Sequence, residues 1–120
     1  MFFGLVAIHA GSQLQFGSGP DAVFVSNIVK NSLVSVCGAV LFTVALTKIF
    51  YGKFLLHMIL RSVVAGMVGI AAEPLTASTE IAFLVGAVSS MVFLVGSSFM
   101  ARFKIDDVCG LIPAHLLVGI

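Results

Sequence analysis

The stretch IAFLVGAVSSMVFLVGSSFM, Ile81 to Met100, decides the fold: it runs for twenty residues without a charge. A helix needs about 20 such residues to cross a bilayer core of roughly 30 Å. Glu80 precedes it, and Arg102, Lys104, Asp106 and Asp107 end it. Working outward, Glu73 to Glu80 reads as a loop, and Phe54 to Ala72 as another apolar segment with His57 and Arg61 in its first turns. Tyr51-Gly52-Lys53 is a turn, and Asp21 to Phe50 is a long segment before it. Gly17-Ser18-Gly19-Pro20-Asp21 is a strong loop signal. Asp21 suits the positive end of the helix dipole.

The expected architecture is all-α and integral to the membrane, a single domain over residues 1–120. Approximate helices are 1–10, 21–50, 54–72, 80–103 and 112–120. Three of these are full transmembrane helices, and the two at the ends are partial. A helix halted in hydrocarbon leaves bare carbonyls, so both ends are expected to be truncated or completed by other chains.

Composition agrees. Apolar residues make up 60% of the 120 and charged residues 9%, and mean hydropathy is +1.21. Soluble domains average about 45–50% apolar and about 25% charged. A net charge of +1 without a basic patch excludes a nucleic-acid partner. Cys37 and Cys109 form neither a disulfide framework nor a metal-ligand spacing. Met1 to Ile8 lacks the basic flank of a signal peptide. No nucleophile–base arrangement, phosphate loop or metal motif suggests an enzyme, and no cofactor or metal is expected. Asp106 and Asp107 read as a solvated turn.

Small residues recur at the spacing that lets membrane helices approach closely: Ala82, Gly86 and Ser90; Ser62 and Gly66; Ala65 and Gly69. Lys48, Lys53, Arg102 and Lys104 fall on one side if the segments alternate, and Asp21, Glu73 and Glu80 on the other. The positive side, with the Lys53 and Asp106 turns, is expected in the cytoplasm or an organelle matrix.

Several blocks resemble the ammonium transporter (Amt/Rh) family. Gly11-Ser12-Gln13-Leu14, Asp21-Ala22-Val23 and Val25-Ser26-Asn27-Ile28 are similar to the end of its sixth helix and the start of its seventh. Tyr51-Gly52-Lys53 resembles the turn before the eighth. Ala65 to Ile70 with Ala72-Glu73-Pro74-Leu75-Thr76 resembles the eighth helix and its exit. Lys104-Ile105-Asp106-Asp107-Val108 followed by Ile112-Pro113-Ala114-His115 and Gly119-Ile120 resembles the approach to the tenth helix and its start. The resemblance implies an inverted-repeat fold of eleven helices with the pore between two five-helix halves, usually in a trimer. This chain resembles only helices six to the start of ten, in a truncated and degenerate form.

By that resemblance His115 falls on the second pore histidine and Ser12 on the serine that hydrogen-bonds ammonium in the outer vestibule. The family's Phe-Asn before that serine is Ile8-His9 here, and an isoleucine offers no π-face to a cation. Where the family tends to show Val-Asn-Thr-Asn this chain reads Lys30-Asn31-Ser32-Leu33, and Arg61 stands where a small polar residue is expected. A lysine within a span needs a partner or a water path, so both cations are expected to meet lipid phosphate or acidic groups, on another protein or within this chain at Glu73 or Glu80. The implied role is a truncated relative acting as a structural or accessory subunit of a larger membrane complex. The alternative is half of a split ammonium channel completed by another chain. Expected partners are the bilayer, other membrane subunits and bound phospholipid, with ammonium only if a second chain completes the path.

Overall fold

A computed structural model of the chain describes residues 2–12, 14, 17 and 19–120. Met1, Gln13 and Ser18, placed by the sequence in the first segment and the turns after it, lie outside the described residues. The elements are α1 (Phe2–Gly11), α2 (Gly19–Tyr51), α3 (Leu56–Ile70), α4 (Thr79–Arg102) and a single π-helical turn, Ile112–Leu117.

Local chemistry sets these limits. Asp21 near the start of α2 accepts from the Gly17 N–H at 3.1 Å, satisfying a donor ahead of the helix. Gly52 ends α2 with φ +68°, a conformation glycine adopts without strain. Ser78 caps α4 by accepting from the Ile81 N–H, and Glu80 follows at the positive end of the dipole.

Among the described residues two helices are long and apolar enough to cross a membrane, α2 and α4. The third segment is shorter than the sequence suggested. Leu55 is extended, so α3 begins after it. At the other end Pro74 disfavours helical geometry at Glu73, and the chain has already turned at Ala71. The 15 residues of α3 reach about 22 Å at 1.5 Å per residue, less than a hydrocarbon core of roughly 30 Å. The last segment is likewise a six-residue π turn rather than a helix over 112–120. Pro113 at its start removes a backbone donor.

Helices α2 and α4 run side by side in the same direction. Asn31 reaches the loop before α4, and Tyr51 meets Ser98 near its end. Helix α3 runs opposite to both, with Gly69 against Val85 and Ser89 and Arg61 beside Ser97 and Met100. The three converge on Ser35. Its carbonyl oxygen lies where a Cβ on Gly86 would sit and 3.1 Å from where one on Gly66 would sit. Its hydroxyl donates to the Gly66 carbonyl at 2.7 Å.

The interior is unusual for a water-soluble bundle. Ser32, Ser35, Thr43, Thr47, Ser62 and Ser90 are fully buried, while Leu41, Leu84, Val88 and Val95 are more than half exposed. Small hydroxyl residues inside and large aliphatics outside suit a lipid solvent, where close backbone approach holds helices together. A small apolar cluster of Ala65, Phe93, Leu94 and Ala114 joins the π turn to α3 and α4.

Candidate functional site

Two places hold the polar groups singled out by the sequence. The first is a cleft of about 220 Å³ beyond the C-terminal end of α3, lined by Ser12, Ile28 and the residues from Ala72 to Thr76. Asn31 fixes its wall: the side-chain amide donates to the Pro74 carbonyl at 2.9 Å and the Ala77 carbonyl at 2.7 Å. Glu73 accepts from the Thr76 hydroxyl at 2.7 Å.

Ser12 is exposed at this cleft, and its hydroxyl donates to the His9 carbonyl at 2.6 Å. His9 is buried, with Nδ1 3.0 Å from the Ser32 hydroxyl oxygen. Ser32 donates its single proton to the Ile28 carbonyl at 2.9 Å. The His9–Ser32 bond then requires Nδ1–H as the donor. Ile8 is 65% exposed and points away from the bundle.

The second place is the π turn. Asp107 builds its entrance, accepting from Leu111 N–H at 3.1 Å and Ile112 N–H at 2.9 Å. The Ile112 N–H foremost, with the neighbouring amides and the Arg61 guanidinium adding, holds the Asp107 carboxyl below the usual carboxylate range. Arg61 is half-buried and donates to the Val108 carbonyl. It packs against Gly110, whose φ of +67° closes the turn. Pro113 and Leu117 seat on Gly96 of α4. The turn then carries His115 alongside the middle of α3, since Ala114 packs with Ala65 and Gly119 lies against Val68. His115 is half-buried and makes no side-chain hydrogen bond among the described residues.

Ser12 and His115 are not brought together. One lies past the end of α3 and the other beside its centre, roughly 10 Å apart along the axis at 1.5 Å per residue. Lys30 is exposed, bonded to Asn27 at 3.4 Å, and sits next to Asn31, level with the loop that precedes α4. The acidic group beside Arg61 is Asp107, not Glu73 or Glu80. Ala82, Gly86, Ser90, Ser62 and Gly66 are all buried. Sequence reasoning missed Ser35, Gly38 and Asn31 as organising residues. The signal was present as polar and glycine positions on one face of an otherwise apolar helix.

The comparisons with known proteins agree with one another. A protein of Synechocystis sp. (strain PCC 6803), provisionally named an ammonium transporter, is 29% identical over 122 residues. The match covers 100% of this chain and 28% of that protein, so the chain spans less than a third of that relative's length. No solved structure matches. The family described as the Ammonium Transporter Family matches residues 1–120. With its all-helical fold and apolar spans, the chain belongs to the ammonium transporter family as part of an integral membrane protein.

Proposed function

We propose that this chain is a structural wall of a larger membrane assembly, with its facing wall supplied by other protein. The observation that carries this reading is the outer cleft, whose described lining offers no aromatic face to a cation. The hydroxyl of Ser12 is turned onto its own helix, and His9 is turned inward onto Ser32. The His9–Ser32 bond holds α1 to α2, while Ser12 donates its proton within α1 and keeps its oxygen lone pairs at the cleft. The exposed neighbour, Ile8, supplies no π-face. The packing between α2, α3 and α4 is meanwhile close enough that a single added methyl would strike backbone.

In the assembly the lipid-facing aliphatics meet the bilayer, α3 is a third and shorter membrane helix packed between α2 and α4, and the end bearing Lys48, Lys53, Arg102 and Lys104 faces the cytoplasm or matrix. A transporter family speaks for a non-enzymatic role.

One observation favours a second reading, part of an ammonium path. His115 stands beside the middle of α3 with no side-chain hydrogen bond among the described residues, and an imidazole can pass a proton near neutral pH. Methylammonium uptake into proteoliposomes holding the purified assembly separates the two. The structural reading expects uptake, if present, to be the same for His115→Ala as for the unaltered chain. Loss of saturable uptake in His115→Ala would overturn it in favour of conduction.

A further inference from the structure

The C-terminal ends of α2 and α4 frame a groove of about 510 Å³, lined by Phe50, Tyr51, Leu94, Val95, Ser98, Phe99 and Arg102. It plays no part in the proposed structural wall or in the path past His115. The two helices touch backbone to backbone at Gly38 and Gly86. At their ends they are linked by one hydroxyl pair, Tyr51 Oη to Ser98 Oγ at 3.1 Å.

The groove has two chemistries. Its body is apolar, formed by Phe50, Leu94, Val95 and Phe99. Its rim carries Tyr51, Ser98 and Arg102. Arg102 is exposed and makes no polar contact among the described residues. We infer that this groove binds one anionic phospholipid, with an acyl chain along the apolar body and the phosphate on Arg102.

Three points favour that occupant. Tyrosine sits by preference at headgroup level, which puts the rim at the depth of a phosphate. The same end of the bundle carries Lys48, Lys53 and Lys104, and basic pockets between membrane helices select anionic headgroups. Lys48 is held over the Phe54 ring at 5.1 Å. Of the nearby acids, Asp107 is committed to the amides of Leu111 and Ile112, and only Asp106 opposes the cations. A partner helix fits less well. Helices approach one another over small residues, and this groove is walled by Phe50, Tyr51 and Phe99.

The chain supplies its own reporter, because Tyr51 is the one tyrosine and there is no tryptophan. The chain is reconstituted in phosphatidylcholine bilayers containing phosphatidylglycerol, with bromine on the acyl chains of one lipid at a time, and Tyr51 emission is read. Brominated phosphatidylglycerol is expected to quench with an association constant about threefold or more above that of brominated phosphatidylcholine. Arg102→Gln should bring the ratio close to one and Arg102→Lys should keep it. Raising salt should narrow it in the unaltered chain, a readout that requires no variant to fold. A ratio near one in the unaltered chain, or an undiminished ratio in folded Arg102→Gln, would overturn the assignment. Emission insensitive to every brominated lipid would do the same, because protein would then cover the groove.

Discussion

Gly86→Ala tests whether the bundle is held by backbone contact rather than by side-chain bulk. The added Cβ would overlap the Ser35 carbonyl oxygen and come within 2.7 Å of its carbon and 3.0 Å of the Ala39 nitrogen. Ordinary contact begins at 3.4 Å, and the carbonyl oxygen is the tightest obstacle, so α2 must retreat by more than about 1 Å at this point. No flexible side chain can absorb that movement, since all three obstacles are backbone atoms. The Ser35 hydroxyl bond to Gly66 lies at the same junction and would be disturbed by any separation. Overpacking a close-packed interior costs about 1–3 kcal/mol, and a backbone obstacle places this case at about 2 kcal/mol or above. That is a fall of roughly 30-fold in the folded-to-unfolded ratio. Gly4→Ala is the internal control: nothing lies within 4 Å of its added Cβ, and a helical glycine replaced by alanine gains about 0.5–1 kcal/mol. Equilibrium unfolding by sodium dodecyl sulfate in mixed micelles, followed by circular dichroism, gives both values. If Gly86→Ala proves as stable as Gly4→Ala, the argument from close approach fails.

Other perturbations probe the loops. Asn31→Leu removes both donors to the Pro74 and Ala77 carbonyls, and leaving buried acceptors unpaired costs about 1–3 kcal/mol; amide hydrogen exchange across residues 72–80 should rise, and unchanged exchange would refute a clamp. The carboxyl of Asp107 is lowered by its amide donors, so the stability it gives the π turn is complete above the ordinary aspartate range. That stability is lost as pH falls through the lowered value. Exchange of the 111–117 amides should therefore accelerate only in acid, and in Asp107→Asn the acid step should vanish. Lys30→Leu separates a surface lysine from a buried one. A charge at mid-membrane would cost about 2.5–3.5 kcal/mol on insertion, whereas a residue level with the α4 loop should change insertion by less than about 1 kcal/mol, as read by a glycosylation-based insertion assay.

Lys30 also shows where the sequence stopped being legible. Hydropathy and length identify α2 and α4, because a charge-free run of this kind has few other uses. They do not say how far one helix is slid along its neighbour. Counting from the loop before α2 puts Lys30 well inside a span. Only the Asn31 bonds to Pro74 and Ala77 reveal that α2 outruns the bundle and carries Lys30 to the level of the next loop. The same missing coordinate hides the partners of Arg61. Along the chain its acids seemed to be Glu73 and Glu80, but antiparallel packing of α3 on α4 sets it beside Asp107. The π turn was hidden for another reason: Ile112 to Leu117 has the composition of an ordinary helix, and its geometry comes from Pro113 seated on Gly96.

These placements bear on function through the direction in which each cation points. A free charge beside a conduction path would repel ammonium, and Lys30 and Arg61 are the two cations that the sequence sets within the apolar segments. In the fold each has a polar contact within this chain. Lys30 stands at the bundle's surface, and Arg61 is tied to the Val108 carbonyl next to a carboxylate. The electrostatic objection to conduction therefore weakens. The proposed structural role rests instead on the cleft's described lining, which offers a cation no aromatic face, and on the backbone contact of α2 with α4 at Gly38 and Gly86.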